Sequence, residues 1–198
     1  MQATNENWRK SLNLTDVDWS RLPAPEDDGT AAHVEGARLP STELTATDGG
    51  RVDLTDLSGI TVIYIYPKTG QPDTPLPDGW DMIPGARGCT PQSCAFRDHF
   101  KELSALGAEH IFGLSTQSTA YQSEAVERLH LPFPLLSDED RVFAKALDLP
   151  SFEVEGQTLL KRITLIVRDG IVIKAFYPVF PPDRNAADVM AWLEDNQA

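Results

Sequence analysis

The chain has 198 residues, 41% hydrophobic and 24% charged, a balance that supports one folded domain and excludes a disordered or fibrous chain. Its net charge of −13, from 30 acidic and 17 basic residues spread along the sequence, repels polyanions and argues against nucleic-acid binding. No apolar run reaches the roughly 20 residues of a membrane helix. The longest, Ile60–Tyr66, has the length of a buried strand, and no membrane association is expected.

Residues 1–37 read as an extension carrying Trp8, Leu12, Leu14, Trp19 and the loop-forming PAPEDDGT. Its start, MQATNENWRKSLNL, lacks a basic segment followed by an apolar one, so no secretory signal is read and cytoplasm is the expected location. The two tryptophans are expected to dock on the domain or on a second subunit, which leaves monomer and homodimer both open. The domain proper is expected over residues 38–198.

LPSTELTATDGGRVDL places the turn signal Asp48-Gly49-Gly50 between two alternating stretches, which predicts a hairpin. ITVIYIYP follows, a β-branched and aromatic run closed by Pro67, and is the strongest strand in the sequence. Glycines and prolines break residues 68–88 into a long loop, and long loops inside compact domains are usually functional. Trp80, Met82 and Ile83 in it are expected either to lid a site or to pack the loop down. Beyond it Phe96, Phe100, Leu103 and Leu106 recur at helical spacing, with Thr90 as the expected N-cap and Pro91 at the first helical position. EHIFGLST predicts a second buried strand, Ser118–His130 a helix, LPFPLLSDED an extended piece and Asp138–Leu147 a short helix. ITLIVRDGIVIKAFY turns at Asp169-Gly170 as a hairpin, and Asn185–Asn196 makes a closing helix. This order is α/β, and it fits a thioredoxin-like fold in which a central mixed β-sheet is flanked by helices on both faces.

Both cysteines lie in GARGCTPQSCAFRDHF, at positions 89 and 94. Two cysteines cannot form a disulfide framework, and a close pair in a reducing compartment is redox-active or metal-binding more often than structural. Cys89 falls at a helix N-terminus, or one residue before it, where unpaired N–H groups favour a thiolate; Cys94, on the second turn, lacks that advantage. The two thiols are therefore unequal, with Cys89 placed to attack and Cys94 to follow. If both are helical, their Cα atoms stand about 8.6 Å apart, beyond the roughly 4.4–6.8 Å of a disulfide, so the bond requires the first turn to unwind. The metal alternative is Cys89, Cys94 and His99 in C-x4-C-x4-H. It lacks a second Cys/His pair, and Cys94 and His99 would point about 140° apart on a helix. His33, His110 and His130 are scattered and form no constellation.

VIYIYPK, GCTPQSCAFRD, FGLST, FPLLSDED and KRITLIVRDG together resemble a peroxiredoxin of the bacterioferritin-comigratory or Q type, over about residues 37–195. The resemblance implies a decorated thioredoxin fold and a thiol-dependent peroxidase that reduces hydrogen peroxide and organic hydroperoxides. It makes Cys89 the peroxidatic cysteine, Cys94 the resolving one that closes an intramolecular disulfide, and Arg162 the active-site arginine. Pro67 and Thr90 become supporting positions, and thioredoxin or glutaredoxin the expected reductant. No metal, flavin or haem cofactor is expected. The alternative is a slow peroxide-responsive redox switch, or a general thiol–disulfide oxidoreductase, using the same pair. One position departs from the family's Pro-x-x-x-Thr-x-x-Cys: Ala86 stands three residues before Cys89, and Pro67 stands 22 before it, so about 15 residues are inserted. The missing hydroxyl is expected from Thr69, Thr74 or Thr90.

Overall fold

The structure is a computed structural model that describes residues 17–196, so Trp8, Leu12 and Leu14 lie outside the described residues. The ITVIYI run forms β3 (Ile60–Ile65), whose side chains are buried on both faces from Thr61 onward. Such a strand must lie inside a sheet covered on both sides. It pairs in parallel with β4 (Ala108–Ser115) and antiparallel with β8 (Ile163–Arg168). The predicted hairpins are β1 (Glu43–Ala46) with β2 (Arg51–Asp53), and β8 with β9 (Ile171–Phe176). With β5 (Leu135–Ser137) they complete a seven-stranded mixed sheet in the order β2-β1-β5-β4-β3-β8-β9.

The alternation along β3 separates two cores. Val62, Tyr64 and Tyr66 face one side with Phe96, Leu103, Ala125, Leu129, Val189 and Leu193. That face carries α1 (Cys89–Asp98), α2 (Phe100–Ala105), α3 (Thr119–Leu129) and α5 (Asn185–Asp195). Ile63 and Ile65 face the other side, against Val34, Leu44, Leu136, Phe143 and Leu165, beneath α4 (Val142–Ala146). Val34 is fully buried there, Gly36 N–H donates to Val172 O at 2.8 Å, and Leu39 N–H donates to Gly170 O at 2.8 Å. Residues 31–39 therefore join the core rather than trailing from it.

Three local features differ from the expectation. The helix expected to run through Leu106 is broken at His99 (φ −100°, ψ 14°), although His99 N–H still reaches Ala95 O and Leu103 N–H reaches His99 O. The chain bends there, and these two bonds bridge the break. The helix expected from Asp138 begins only at Val142, because Asp138 forms a turn and its carboxylate accepts from the N–H groups of Phe143 (3.1 Å) and Ala144 (2.8 Å). A two-stranded sheet of β6 (Ser151–Val154) and β7 (Gln157–Leu160), turning at Glu155-Gly156, was not expected at all.

The pairing that seats α1 on the sheet is Phe96 against Tyr64, rings nearly parallel with centroids 4.5 Å apart, while Tyr64 Oη donates to Ser93 Oγ at 3.2 Å. Phe96 is wholly buried. Phe96→Ala is expected to destabilise the fold by about 3–5 kcal/mol. Urea unfolding checks this, and a loss below about 1 kcal/mol would mean that α1 is held mainly by other contacts.

Candidate active site

The loop between β3 and α1 is nailed down along its length. Thr69 N–H and Oγ1 both donate to Gln117 Oε1 (2.9 and 3.1 Å), Tyr121 Oη donates to Thr69 O, and Arg128 donates to Gly70 O. Farther on, Asp78 N–H donates to Glu155 and Arg87 pairs with Asp81 at 2.7 Å. Trp80 is buried in a small cluster with Ala86 and Leu159, flanked by Leu76, Ile83, Phe152 and Val154. Of the three loop side chains singled out in the sequence, Trp80 packs the loop onto the β6–β7 hairpin and Ile83 supports it, whereas Met82 is 69% exposed.

The loop ends at Gly88, whose φ of 107° only glycine adopts without strain. Gly88, not Thr90, is the N-cap: its carbonyl accepts from Gln92 N–H at 3.0 Å, and Cys89 is the first helical residue. Thr90 and Pro91 thus lie inside the first turn. Pro91 costs nothing there, because N–H groups of the first turn have no partner within the helix.

Arg162, one residue before β8, reaches across to this turn. Its Nη2 lies 3.2 Å from Cys89 Sγ and also donates to the carbonyl oxygens of Gly85, Ala86 and Arg87 at 3.2–3.3 Å. Its Nη1 donates to Gln92 Oε1. Gln92 Nε2 in turn donates to Asn185 Oδ1 at 2.9 Å, and Thr164 Oγ1 donates to the same oxygen at 2.6 Å. Cys89 and Arg162 are each only 3% exposed. Among the described residues no carboxylate pairs with Arg162, and its Nε has no hydrogen-bond partner.

A buried cation held by neutral acceptors alone is costly. Of its hydrogen-bond partners, the Cys89 sulfur is the one able to carry a compensating negative charge. Sequence reasoning named Cys89 and Arg162 but missed Gln92, Thr164 and Asn185. The usable signal for Gln92 was its spacing, since three residues past Cys89 lies on the same helical face.

Both thiols are free. Cys94 is half-buried on the second turn, and burial pushes its thiol above the ordinary range, with the nearby Arg97 opposing. Because Cys89 and Cys94 both lie within α1, ideal helix geometry separates their Cα atoms by about 8.6 Å, too far for a disulfide. A cavity of about 10 Å³ opens beside Cys89, lined by Lys68, Gly70, Leu76, Trp80, Arg87 and Thr90 among others. That is room for about one water molecule. Of the three candidate hydroxyls, Thr90 alone lines this opening; Thr69 is committed to Gln117 and Thr74 is exposed. Pro67 is buried just after the end of β3. His99 sits at the break after α1, and no cluster of three or more His, Cys, Asp or Glu that could hold a metal ion occurs among the described residues.

The family model described as Redoxin matches residues 34–190. Peroxiredoxin Bcp of Bacillus subtilis is 32% identical over 81% of this chain and 94% of its own. The chain belongs to the redoxins and, among them, to the Bcp/Q peroxiredoxins. Chloroplastic peroxiredoxin Q of Suaeda salsa is 28% identical over 81% of the chain, which spans about two thirds of that longer plant protein. The crystal structure of peroxidoxin BcpB from Mycobacterium tuberculosis superposes with a TM-score of 0.68 at 25% identity, covering 83% of this chain and 98% of that one. The mixed sheet with helices on both faces is the thioredoxin-like arrangement of this peroxiredoxin family. No helix among the described residues is long and apolar enough to cross a membrane.

The burial of Cys94 gives a pH dependence. A thiol whose protonated form is favoured ionises late, so alkylation of Cys94 in a Cys89→Ser variant is expected to rise with a midpoint above the ordinary 9.0. Iodoacetamide kinetics across pH 7–11 measure it, and a midpoint below 9.0 would contradict the burial argument.

Proposed function

We propose that this peroxiredoxin is a thiol-dependent peroxidase in which Cys89 attacks hydroperoxides and Cys94 resolves the product as an intramolecular disulfide. The observation that carries the reading is the contact of Arg162 Nη2 with Cys89 Sγ at 3.2 Å, in a buried site where no carboxylate competes for the guanidinium. A guanidinium beside the sulfur presents donors to the peroxide oxygens. The unpartnered Arg162 Nε supports this role, as a buried donor without a protein acceptor calls for a reason. Thr90 at the opening and Pro67 at the end of β3 are the supporting positions.

In the first step the Cys89 sulfur attacks one peroxide oxygen. The S–O bond forms as the O–O bond breaks, and the departing oxygen takes a proton and leaves as water or alcohol. Sulfur has lost two electrons and is a sulfenic acid. The first turn of α1 then unwinds, and the Cys94 sulfur attacks that of Cys89. The S–S bond forms, the S–O bond breaks, and the hydroxyl leaves as water with the thiol proton. A dithiol protein of the thioredoxin or glutaredoxin type returns two electrons by thiol–disulfide exchange. The electrons all pass between sulfur and oxygen, so the cycle draws on no metal, flavin or haem.

One observation favours a second reading. Ala86 supplies only a carbonyl where a threonine hydroxyl would otherwise bond the reacting atoms, and one lost charge-assisted bond costs a reaction about 2.7–4 kcal/mol. On that reading the pair is a slow peroxide-responsive switch. Stopped-flow oxidation of the reduced protein separates the two: a rate constant near that of a free thiol selects the switch.

Cys89→Ser is expected to abolish peroxide consumption, and retained turnover would remove the mechanism. Cys94→Ser is expected to keep the first oxidation while losing recycling by thioredoxin. Arg162→Ala is expected to slow Cys89 oxidation by about 100- to 1,000-fold, as the loss of an oxyanion donor does elsewhere.

A further inference from the structure

The loop and helix that carry Cys89 are covered by Trp19, which docks on the domain, one of the two placements expected for it. Trp19 begins a short 3-10 turn, Trp19–Arg21, capped by Asp18, whose Oδ1 accepts from Ser20 N–H and Oγ. Its indole lies on the backbone of Gly88, the residue just before Cys89. A Cβ placed on Gly88 would stand 2.6 Å from Trp19 Cη2 and 2.7 Å from Pro182 Cγ, so the indole and the proline ring close over this hinge from two sides. The indole is itself held: Nε1 donates to Asp183 Oδ2 at 2.8 Å, and the ring meets Phe180 edge-on at 5.9 Å. Farther along, Pro25 rests on Gly85, whose carbonyl oxygen is one of the acceptors of Arg162. Asp28 then ties the segment to Lys161 (2.5 Å), next to Arg162, and accepts from Tyr177 Oη (2.9 Å).

We propose that Trp19 is a positioning residue that clamps Gly88, keeps Cys89 seated against Arg162, and thereby sets how fast the Cys89–Cys94 disulfide forms. The inference rests on the assignment of Cys89 and Cys94 given above. With both cysteines inside α1, disulfide closure requires Cys89 to leave the first turn, and the joint that must swing is Gly88. Its φ of 107° is one that glycine adopts without strain, and glycine can leave it as freely. With the indole lying on that joint, the turn cannot open without unseating the ring from Phe180 and Asp183. The clamp therefore prolongs the life of the Cys89 sulfenic acid. A second peroxide molecule then competes better with Cys94 and carries Cys89 to the sulfinic acid.

The test follows both steps in the full-length protein by stopped-flow mixing with hydrogen peroxide, using intrinsic fluorescence and mass spectrometry of quenched samples. In Trp19→Ala, disulfide formation is expected to accelerate about fivefold while the first oxidation slows about two- to threefold. The peroxide concentration that drives half of Cys89 to sulfinic acid is expected to rise in proportion. Trp19→Phe keeps a ring on Gly88 and is expected to restore most of the wild-type behaviour. Asp183→Ala, which releases the indole nitrogen and leaves the ring in place, is expected to fall between. The opposite signs of the two changes are the signature. Slowing of both steps, or no change in the second, in both Trp19→Ala and Asp183→Ala overturns the clamp. Two normal phases in the wild type beside that result would leave the assignment of the cysteines standing. Absence of Cys89 oxidation in the wild type would overturn that assignment and the clamp with it.

Discussion

A buried guanidinium without a carboxylate organises this candidate active site. Arg162 is sequestered at the start of β8, and its partners are three backbone carbonyls, the Gln92 amide oxygen and the Cys89 sulfur. Had an aspartate or glutamate stood there, it would have formed an ordinary buried ion pair and left the sulfur with nothing to answer. Neutral acceptors orient the cation but leave its charge uncompensated, which sets this arginine apart from one held in a buried ion pair. The same contact explains why α1 begins where it does. Cys89 must be the first helical residue for its sulfur to face back toward β8, and Gly88 must take a positive φ to put it there.

The support behind this contact is polar and buried. Asn185, at the start of α5, accepts from both Thr164 of β8 and Gln92 of α1, so a single oxygen links three elements. Gln92 is thereby oriented with its own oxygen toward Arg162 Nη1. Each of these groups would be costly to bury alone, and together they leave one another satisfied. One turn beyond Gln92 on the same side of α1, the stacking of Phe96 on Tyr64 fastens the helix to β3 through apolar contact. The second and later turns of α1 are thus anchored to the sheet, while the first turn is held by polar bonds to Arg162 and by whatever covers Gly88.

The sequence revealed these elements unequally, and the reasons are physical. β3, β4 and the Asp169-Gly170 hairpin were legible because buried strands need unbroken β-branched runs and two-residue turns need their particular residues. Cys89 and Arg162 were legible through the motifs around them. Gly88 as the cap was not, because capping preferences favour a hydroxyl such as Thr90, whereas here the backbone is shaped by three carbonyls that must converge on one nitrogen. Asn185 was invisible to periodicity, since a polar residue buried in a network has the same letter as one in solvent; Gln92 shared that letter and was marked only by its spacing from Cys89. The β6–β7 pair alternates only weakly in burial, and its value lies in receiving the Trp80 loop, a tertiary contact that no local pattern encodes. The place of residues 31–39 was masked in the same way, as Val34 looks no different from any valine in a loop until β9 is beside it.

The convergence of carbonyls has its own consequence. For the oxygens of Gly85, Ala86 and Arg87 all to reach Arg162, the chain must curl tightly, and it does so with positive φ at Gly85 (75°) and at Gly88 (107°). Two glycines within four residues let the turn take this shape without strain but make it easy to lose, because glycine surrenders more backbone entropy on ordering than other residues. On the proposed mechanism, a site that needs Cys89 held still for the first chemical step is built on the part of the loop least able to hold itself. The covering of both glycines by ring side chains, Pro25 on Gly85 and Trp19 with Pro182 on Gly88, supplies from outside the stiffness that the turn lacks. The same arrangement leaves the turn able to melt once that cover lifts, which a stiffer turn with a side chain at position 88 would not allow. On that mechanism, precise seating of the sulfur and its later release draw on one design, a flexible joint under a removable weight.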